Sequence, residues 1–451
     1  MRQKYIAVVA FGLILCIILF APYFWRLSIG NTENPGSQYY LMKQLGERYK
    51  EEGPVIFTEH PFSAYIFLLM NLDGGAARVL FLSLGALFCI LLFLVMRRHR
   101  IRDDSRIFII TIWAASAAFI TLVHMDGLTL LVMCLLAIAA LYPDNLLLVA
   151  ALMIASALVS PILLAGAFLL FLVYISYLQL SIRRSFIMAL PGLFVGLVNW
   201  YVGGQFANTA ALVSNESSFL LEFGAVGGIP IILFCLGAGG AILFWSRRFR
   251  DPYVIAGVLC IGTFFIPAWL PFLSLLLSIV AGMAFLHLAN KVWKSSAAYR
   301  VFCLSVMAGL ALSSVLGMHL VADMPPGQDL VRGLHVLSGF SPGITLSHPS
   351  YGSEIVVIGG QEVFVDELDG PIVQEMAEKI FQSYRLMNAT TLLAEEEIDY
   401  IFITRDMREG LVWNRTGQGL LLLLQNERYF SSLYADDQLE IFEFSGAIVE
   451  Q

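Results

Sequence analysis

The chain has 451 residues and a formal net charge of −7, with 58% hydrophobic residues, only 14% charged ones and a mean hydropathy of +0.77. A soluble domain carries roughly a quarter charged residues, and here apolar runs of about 17 residues or more recur, which excludes an ordinary soluble protein. The composition is that of a polytopic membrane protein.

The first apolar run, 5–25, follows Arg2 and Lys4 and leads into Pro22-Tyr23-Phe24-Trp25 without a small-residue cleavage site. It reads as a retained span with an aromatic belt, not as a cleaved signal peptide. A long outer loop, 26–75, comes next. Asn34-Pro35-Gly36 opens it as a turn. Residues 37–52 have the spacing of an amphipathic helix, with Tyr40, Leu41, Leu45 and Tyr49 on related faces. A further apolar helix, 61–72, is too short to span and suits the membrane interface.

Ten more spans follow, near 76–96, 106–123, 127–142, 145–160, 161–178, 186–202, 228–246, 253–268, 270–290 and 300–321, for about eleven in all. Ser160-Pro161 is either a turn between two spans or a kink within one longer helix. The Lys and Arg residues set the orientation. Arg2 and Lys4, the group from Arg97 to Arg106, Arg183 and Arg184, the group from Arg247 to Arg250, and the group from Lys291 to Arg300 hold 15 basic residues on one side of an eleven-span chain. Basic loops stay in the cytoplasm, so the N-terminus is expected inside and the C-terminus outside, in a multi-pass protein of the cell membrane. The sequons at Asn215, Asn388 and Asn414 fall on the expected outer side. An outer segment, 203–227, is flanked by Trp200 and Tyr201 and carries only Glu216 and Glu222 as charges.

The tail alternates short apolar runs with polar turns. Residues 354–358, 362–365, 399–404 and 439–444 are expected as strands, and 372–383, 390–397 and 418–427 as helices. That makes a small α/β domain with one core. From Ala322 to Gln451 it holds 21 acidic and 7 basic residues, a net charge of −14 that argues against nucleic acid or anionic headgroups as its partner. The expected fold is therefore a polytopic α-helical membrane domain, 1–321, with a structured first outer loop, 26–75, and a C-terminal extracytoplasmic α/β domain, 322–451.

All six cysteines fall inside apolar spans, so neither a disulfide framework nor metal-ligand spacing is expected. There is no phosphate-binding glycine loop, no dinucleotide fingerprint and no Ser-His-Asp ordering. Gly237-Ala238-Gly239-Gly240 reads as a helix-packing surface and Gly359-Gly360 as a hairpin turn. What remains is a set of carboxylates on the outer side: Glu33, Glu59, Asp73 and Asp126. A carboxylate at a membrane face can deprotonate an acceptor or hold a cation for a phosphate leaving group. Asp126 stands in His124-Met125-Asp126-Gly127, between two apolar runs, where a helix N-cap accounts for it equally well. His60 and His124 share that outer side.

At these residues the chain is similar to the GT-C membrane glycosyltransferases, which include the oligosaccharyltransferases and the polyprenyl-phosphate-sugar mannosyl- and aminoarabinosyltransferases. Residues 31–48 (NTENPGSQYYLMKQLGER), residues 124–131 (HMDGLTLL), the span pattern up to about residue 200 and the C-terminal outer domain carry the resemblance. Within the tail, Ile398-Asp399-Tyr400-Ile401-Phe402-Ile403 resembles a strand that recurs after the last span in prokaryotic members. The resemblance implies a sugar donor on a polyprenyl phosphate, such as dolichyl phosphate, and a glycan or protein acceptor at the outer leaflet. It implies Glu33 and Asp126 as catalytic acids, the first acting on the acceptor and the second through substrate or metal contacts. Tyr39, Tyr40, Glu59, His60, His124 and Trp200 are the candidate substrate-binding residues, and a divalent cation is the candidate cofactor. The sequence departs from the pattern in one place: Ser37 and Gln38 precede the tyrosine pair where oligosaccharyltransferase-like members have an aspartate, so Glu33 is the nearest acid. The Trp-Trp-Asp signature of the oligosaccharyltransferases is also absent. The alternative is a non-catalytic GT-C-like subunit or scaffold. A transporter fits less well, because the spans are almost free of charge at mid-depth.

Overall fold

The computed structural model describes residues 2–31, 33–34, 39–40, 43–44, 74–99, 101, 103–177, 190–197, 230–244, 250–290, 296–324, 326–367, 369–413 and 417–445. The chain divides into two compact units, Met1–Leu27 with Arg48–Asp323, and Ser28–Glu47 with Met324–Gln451. Residues 28–47 therefore group with the C-terminal residues.

The first unit is helical: α1 (Arg2–Ser28), α2 (Gly74–Arg98), α3 (Asp103–Ala114), α4 (Ala117–Met125), α5 (Gly127–Leu141), α6 (Leu146–Val159), α7 (Pro161–Tyr177), α8 (Ile231–Leu243), α9 (Arg250–Phe265), α10 (Leu270–Ala289) and α11 (Ser296–Asp323). Residues 190–197 are helical as well. Among the described residues, Ala76–Arg98, Leu270–Ala289 and a stretch starting at Ser296 are long and apolar enough to cross a membrane, and six shorter apolar helices accompany them.

The expected span 106–123 is broken. α3 and α4 meet at an angle of 66°. Ser116 is the cause: its hydroxyl donates to Trp113 O at 2.7 Å and accepts from Phe119 N at 3.2 Å, which ends one helix and caps the next. Ser160-Pro161 likewise separates two helices. Ser160 is extended and its N–H closes α6 on Ser156 O, while Pro161 sits at the first position of α7, where a missing N–H costs nothing. The core of this unit includes Phe88, Ile109, Trp113, Phe119, Leu130, Met133 and Phe272, all buried. The glycine patch of α8 packs on α10, as its composition suggests. A Cβ on Gly240 would lie 2.9 Å from Ala284 Cβ and from Val280 O, so only glycine permits this approach.

The second unit holds α12 (Gln328–Leu337), β1 (Ile344–Leu346), α13 (Gly352–Val357), β2 (Glu362–Val363), α14 (Pro371–Phe381), α15 (Leu386–Glu395), β3 (Ile398–Thr404), α16 (Leu420–Leu423), β4 (Phe430–Ala435) and β5 (Leu439–Phe444). The sheet order is β2-β1-β3-β5-β4, parallel across β2, β1 and β3, with β5 antiparallel to both β3 and β4. β3 is the centre, and it is covered on both faces. Ile401 and Ile403 pack with Leu346, Phe381 and Trp413, while Tyr400 and Phe402 pack with Leu334, Ile355 and Ile441. Alternation along a strand sends successive side chains to opposite faces, so an unbroken apolar run serves two cores.

Two expectations for the tail need correction. Residues 354–358 form most of α13 and its C-cap, not a strand. The turn at Pro349–Tyr351 feeds a helix that buries Ile355 and leaves Val356 and Val357 half-exposed, so packing overrides their β-propensity. Gly359-Gly360 accordingly joins a helix to a strand, with Gly360 at φ +62°.

Candidate functional site

In the helical unit the site is built on the turn between α4 and α5. The Asp126 N–H donates to Leu122 O at 3.0 Å and closes α4. Its Oδ1 accepts from Thr129 N at 2.9 Å, its Oδ2 accepts from the Thr129 hydroxyl, and together these start α5. Asp126 thus ends one helix and begins the next. Burial pushes its pKa up, while the Thr129 hydroxyl and N–H and the Leu128 N–H hold it down. Gly127 is required beside it, because a Cβ there would fall 2.1 Å from the Phe81 ring.

His124 lies two residues before this carboxylate and is only 3% exposed. Neither of its ring nitrogens has a side-chain hydrogen-bond partner among the described residues. Its ring meets Tyr23 edge-on at 5.0 Å, and the Arg78 guanidinium lies 5.2 Å above the same tyrosine. Arg26, 1% exposed, donates from Nη1 to Ala322 O at 2.9 Å. Trp25 packs on His319, which is paired with Asp323. Reading the spans one by one misses the Tyr23–Arg26–Arg78 group. Its trace in the sequence is a pair of arginines, Arg26 and Arg78, near the ends of two apolar runs.

Glu33 belongs to the other unit. The Tyr40 hydroxyl lies 3.2 Å from Glu33 Oε2 and 3.1 Å from Asn34 O, donating towards both. The Glu33 N–H donates to Asn31 Oδ1 at 3.0 Å, and Asn31 Nδ2 donates to Pro326 O at 2.9 Å. Tyr40 is fully buried, and Tyr39 stands edge-on to it at 5.1 Å. Tyr40 therefore orients the acid. Further along, Gln44 Nε2 donates to Asp366 Oδ2 at 2.7 Å. Near that contact burial pushes Glu354 up to about 7, with Ser353 opposing and the Glu367 charge adding to it. Glu367 also rises to about 7, through burial and the Asp366 charge.

Glu59, His60, Asp73 and Trp200 lie outside the described residues, as do the turn at 35–38 and the interfacial helix at 61–72. Among the described residues, no three His, Cys, Asp or Glu side chains come together as a cation site.

The sequence matches no known protein-family profile and no curated protein. Solved structures do match in fold. Archaeal oligosaccharyltransferase AglB from Archaeoglobus fulgidus, in complex with an inhibitory peptide and a dolichol-phosphate, is 13% identical with a TM-score of 0.56, over 95% of this chain and 73% of that one. The Archaeoglobus fulgidus oligosaccharyltransferase in the apo form is 11% identical with a TM-score of 0.58, over 94% and 73%. The same enzyme in complex with Zn and sulfate is 13% identical with a TM-score of 0.57, over 95% and 72%. The fold is that of these oligosaccharyltransferase structures along most of the chain.

Proposed function

We propose, from a chain that carries the GT-C fold along nearly its whole length, an integral-membrane glycosyltransferase that moves a sugar from a polyprenyl-phosphate carrier to an acceptor at the outer face. The observation that carries this reading is the fold likeness over 95% of the chain to a protein seen with a peptide and a dolichol-phosphate. Eleven spans, an inner N-terminus and an outer C-terminal domain belong to the same proposal. In the reaction the acceptor's nucleophile bonds to the anomeric carbon, the carbon–oxygen bond to the carrier phosphate breaks, and the phosphate leaves with the electron pair. The acceptor's proton passes to a carboxylate, for which Glu33, oriented by Tyr40, is the candidate. Asp126, bonded by Thr129 at a helix start, is the candidate second acid.

Asp126→Asn is nearly isosteric and keeps an oxygen to cap α5, so it should leave the melting temperature unchanged and abolish transfer in membranes supplied with polyprenyl-phosphate sugar. Glu33→Gln should do the same. Wild-type transfer in both variants would sink the reading. It would favour the second one, a GT-C-like subunit without catalysis, for which the engagement of both Asp126 oxygens in capping and the Ser37-Gln38 departure already speak.

A further inference from the structure

Buried carboxylates gather where the first-loop segment meets the sheet of the second unit. Gln44 is 2% exposed and donates from Nε2 to Asp366 Oδ2 at 2.7 Å, across 322 residues of chain. Asp366 is fully buried and trades bonds with Asp369: its N–H donates to Asp369 Oδ2 at 2.8 Å, and its Oδ1 accepts from Asp369 N at 3.1 Å. The start of α13 presses on the same residue, where a Cβ on Gly352 would lie 2.6 Å from Asp366 Cβ. Two residues on, Glu354 is 2% exposed and accepts from the Ser353 hydroxyl at 3.1 Å, with Glu367 near enough for its charge to act. The Asp366 charge acts on Glu367 in the same way. The other titratable groups here are Tyr351 on the turn before α13, which reaches Asp406 after β3 at 3.2 Å, and Lys43, next to Gln44 on the first-loop segment.

Among the described residues no arginine or lysine pairs with Glu354 or Glu367. A carboxyl buried without a cation is strongly disfavoured as an ion, so close packing here selects the protonated form of both. Ionisation instead sets like charges side by side where little water screens them. We propose that Glu354 and Glu367 form a proton-operated latch on residues 28–47. Protonated, they let the stretch after β2 close on Gln44 and hold that segment to the sheet. Ionised, they drive the stretch off α13 and free the segment that carries Glu33, Tyr39 and Tyr40. The latch does not rest on the glycosyltransferase reading, because it is read from the backbone and not from sugar transfer.

The test uses the full chain in detergent, with backbone hydrogen exchange read by mass spectrometry and variants compared at the same pH, so that the chemistry of exchange cancels. Each pKa unit released on opening is about tenfold in the opening equilibrium. At pH 4.5 the wild type and the double variant Glu354→Gln/Glu367→Gln should exchange alike over residues 28–47. At pH 8 the wild type should exchange about tenfold faster there than the double variant, or more, with each single variant between them and β3 equally protected in all. Gln44→Leu, which removes the bond the latch closes on, should exchange fast at both pH values. Equal exchange of wild type and double variant at pH 8 would overturn the latch. So would acceleration spread alike over 28–47 and β3, which would make the pair a determinant of global stability alone. If the double variant does not fold, the wild type decides by itself. Its exchange at 28–47 relative to β3 has to rise about tenfold from pH 4.5 to pH 8, and a constant ratio overturns the proposal.

Discussion

Asp126 ends one helix and starts the next. Its capping role needs only an oxygen facing Thr129 N, so Asp126→Ala should cost about 1 kcal/mol of stability where Asp126→Asn costs little. Its charge is a separate matter. The Thr129 hydroxyl lowers the Asp126 pKa, so Thr129→Val should raise it and shift the acid limb of the transfer-versus-pH profile to higher pH. An unmoved limb would mean that Asp126 does not titrate in the reaction. Glu354 makes a second test at this scale. Its folded pKa of about 7 lies above the ordinary 4.5, so the folded chain binds this proton more tightly than the unfolded one. That contribution is fully present below about pH 4.5 and is lost as pH rises through 7, for a total of about 3 kcal/mol. In urea unfolding of the full chain, Glu354→Gln should match wild type near pH 4.5 and exceed it at pH 8.

Elements were legible where the pattern was local. The run Ile398–Thr404 reads as a strand because it alternates between two buried faces, and Leu439–Phe444 is delimited by the acidic turn before it. β1 is only three residues long and has no period to detect, and α13 carries a strand-like composition inside a helix. The break at Ser116 is invisible to hydropathy, because one serine barely lowers an apolar window while its hydroxyl competes with the helix. Asp126 was legible as an acid at a span junction. The Tyr23 cluster was not, since residues 23, 26, 78 and 124 converge only through packing. The glycines of α8 give a matched test of such packing. Gly240→Ala should lower the melting temperature in detergent, because its Cβ collides with α10, whereas Gly239→Ala, with open space around it, should leave it unchanged or raise it. Equal effects would mean that the two helices do not pack this closely.

For the whole molecule, the proposed orientation is open to chemical labelling. With a membrane-impermeant thiol reagent on intact cells, Ser350→Cys should label and Arg98→Cys should not; the reverse pattern would invert the chain. The second unit also has an order of events written into it. Asn31 bonds Pro326, and Gln44 bonds Asp366, across 295 and 322 residues. Residues 28–47 leave the ribosome well before the partners from residue 324 onward that complete their unit. While the intervening spans are inserted, that segment has to wait with its tyrosine pair uncovered. Loop closure over such a distance is slow, and an open apolar segment is the natural client of a chaperone. A nascent chain arrested before residue 324 is thus the species in which proteases and holdases have most access to Glu33 and the residues that orient it.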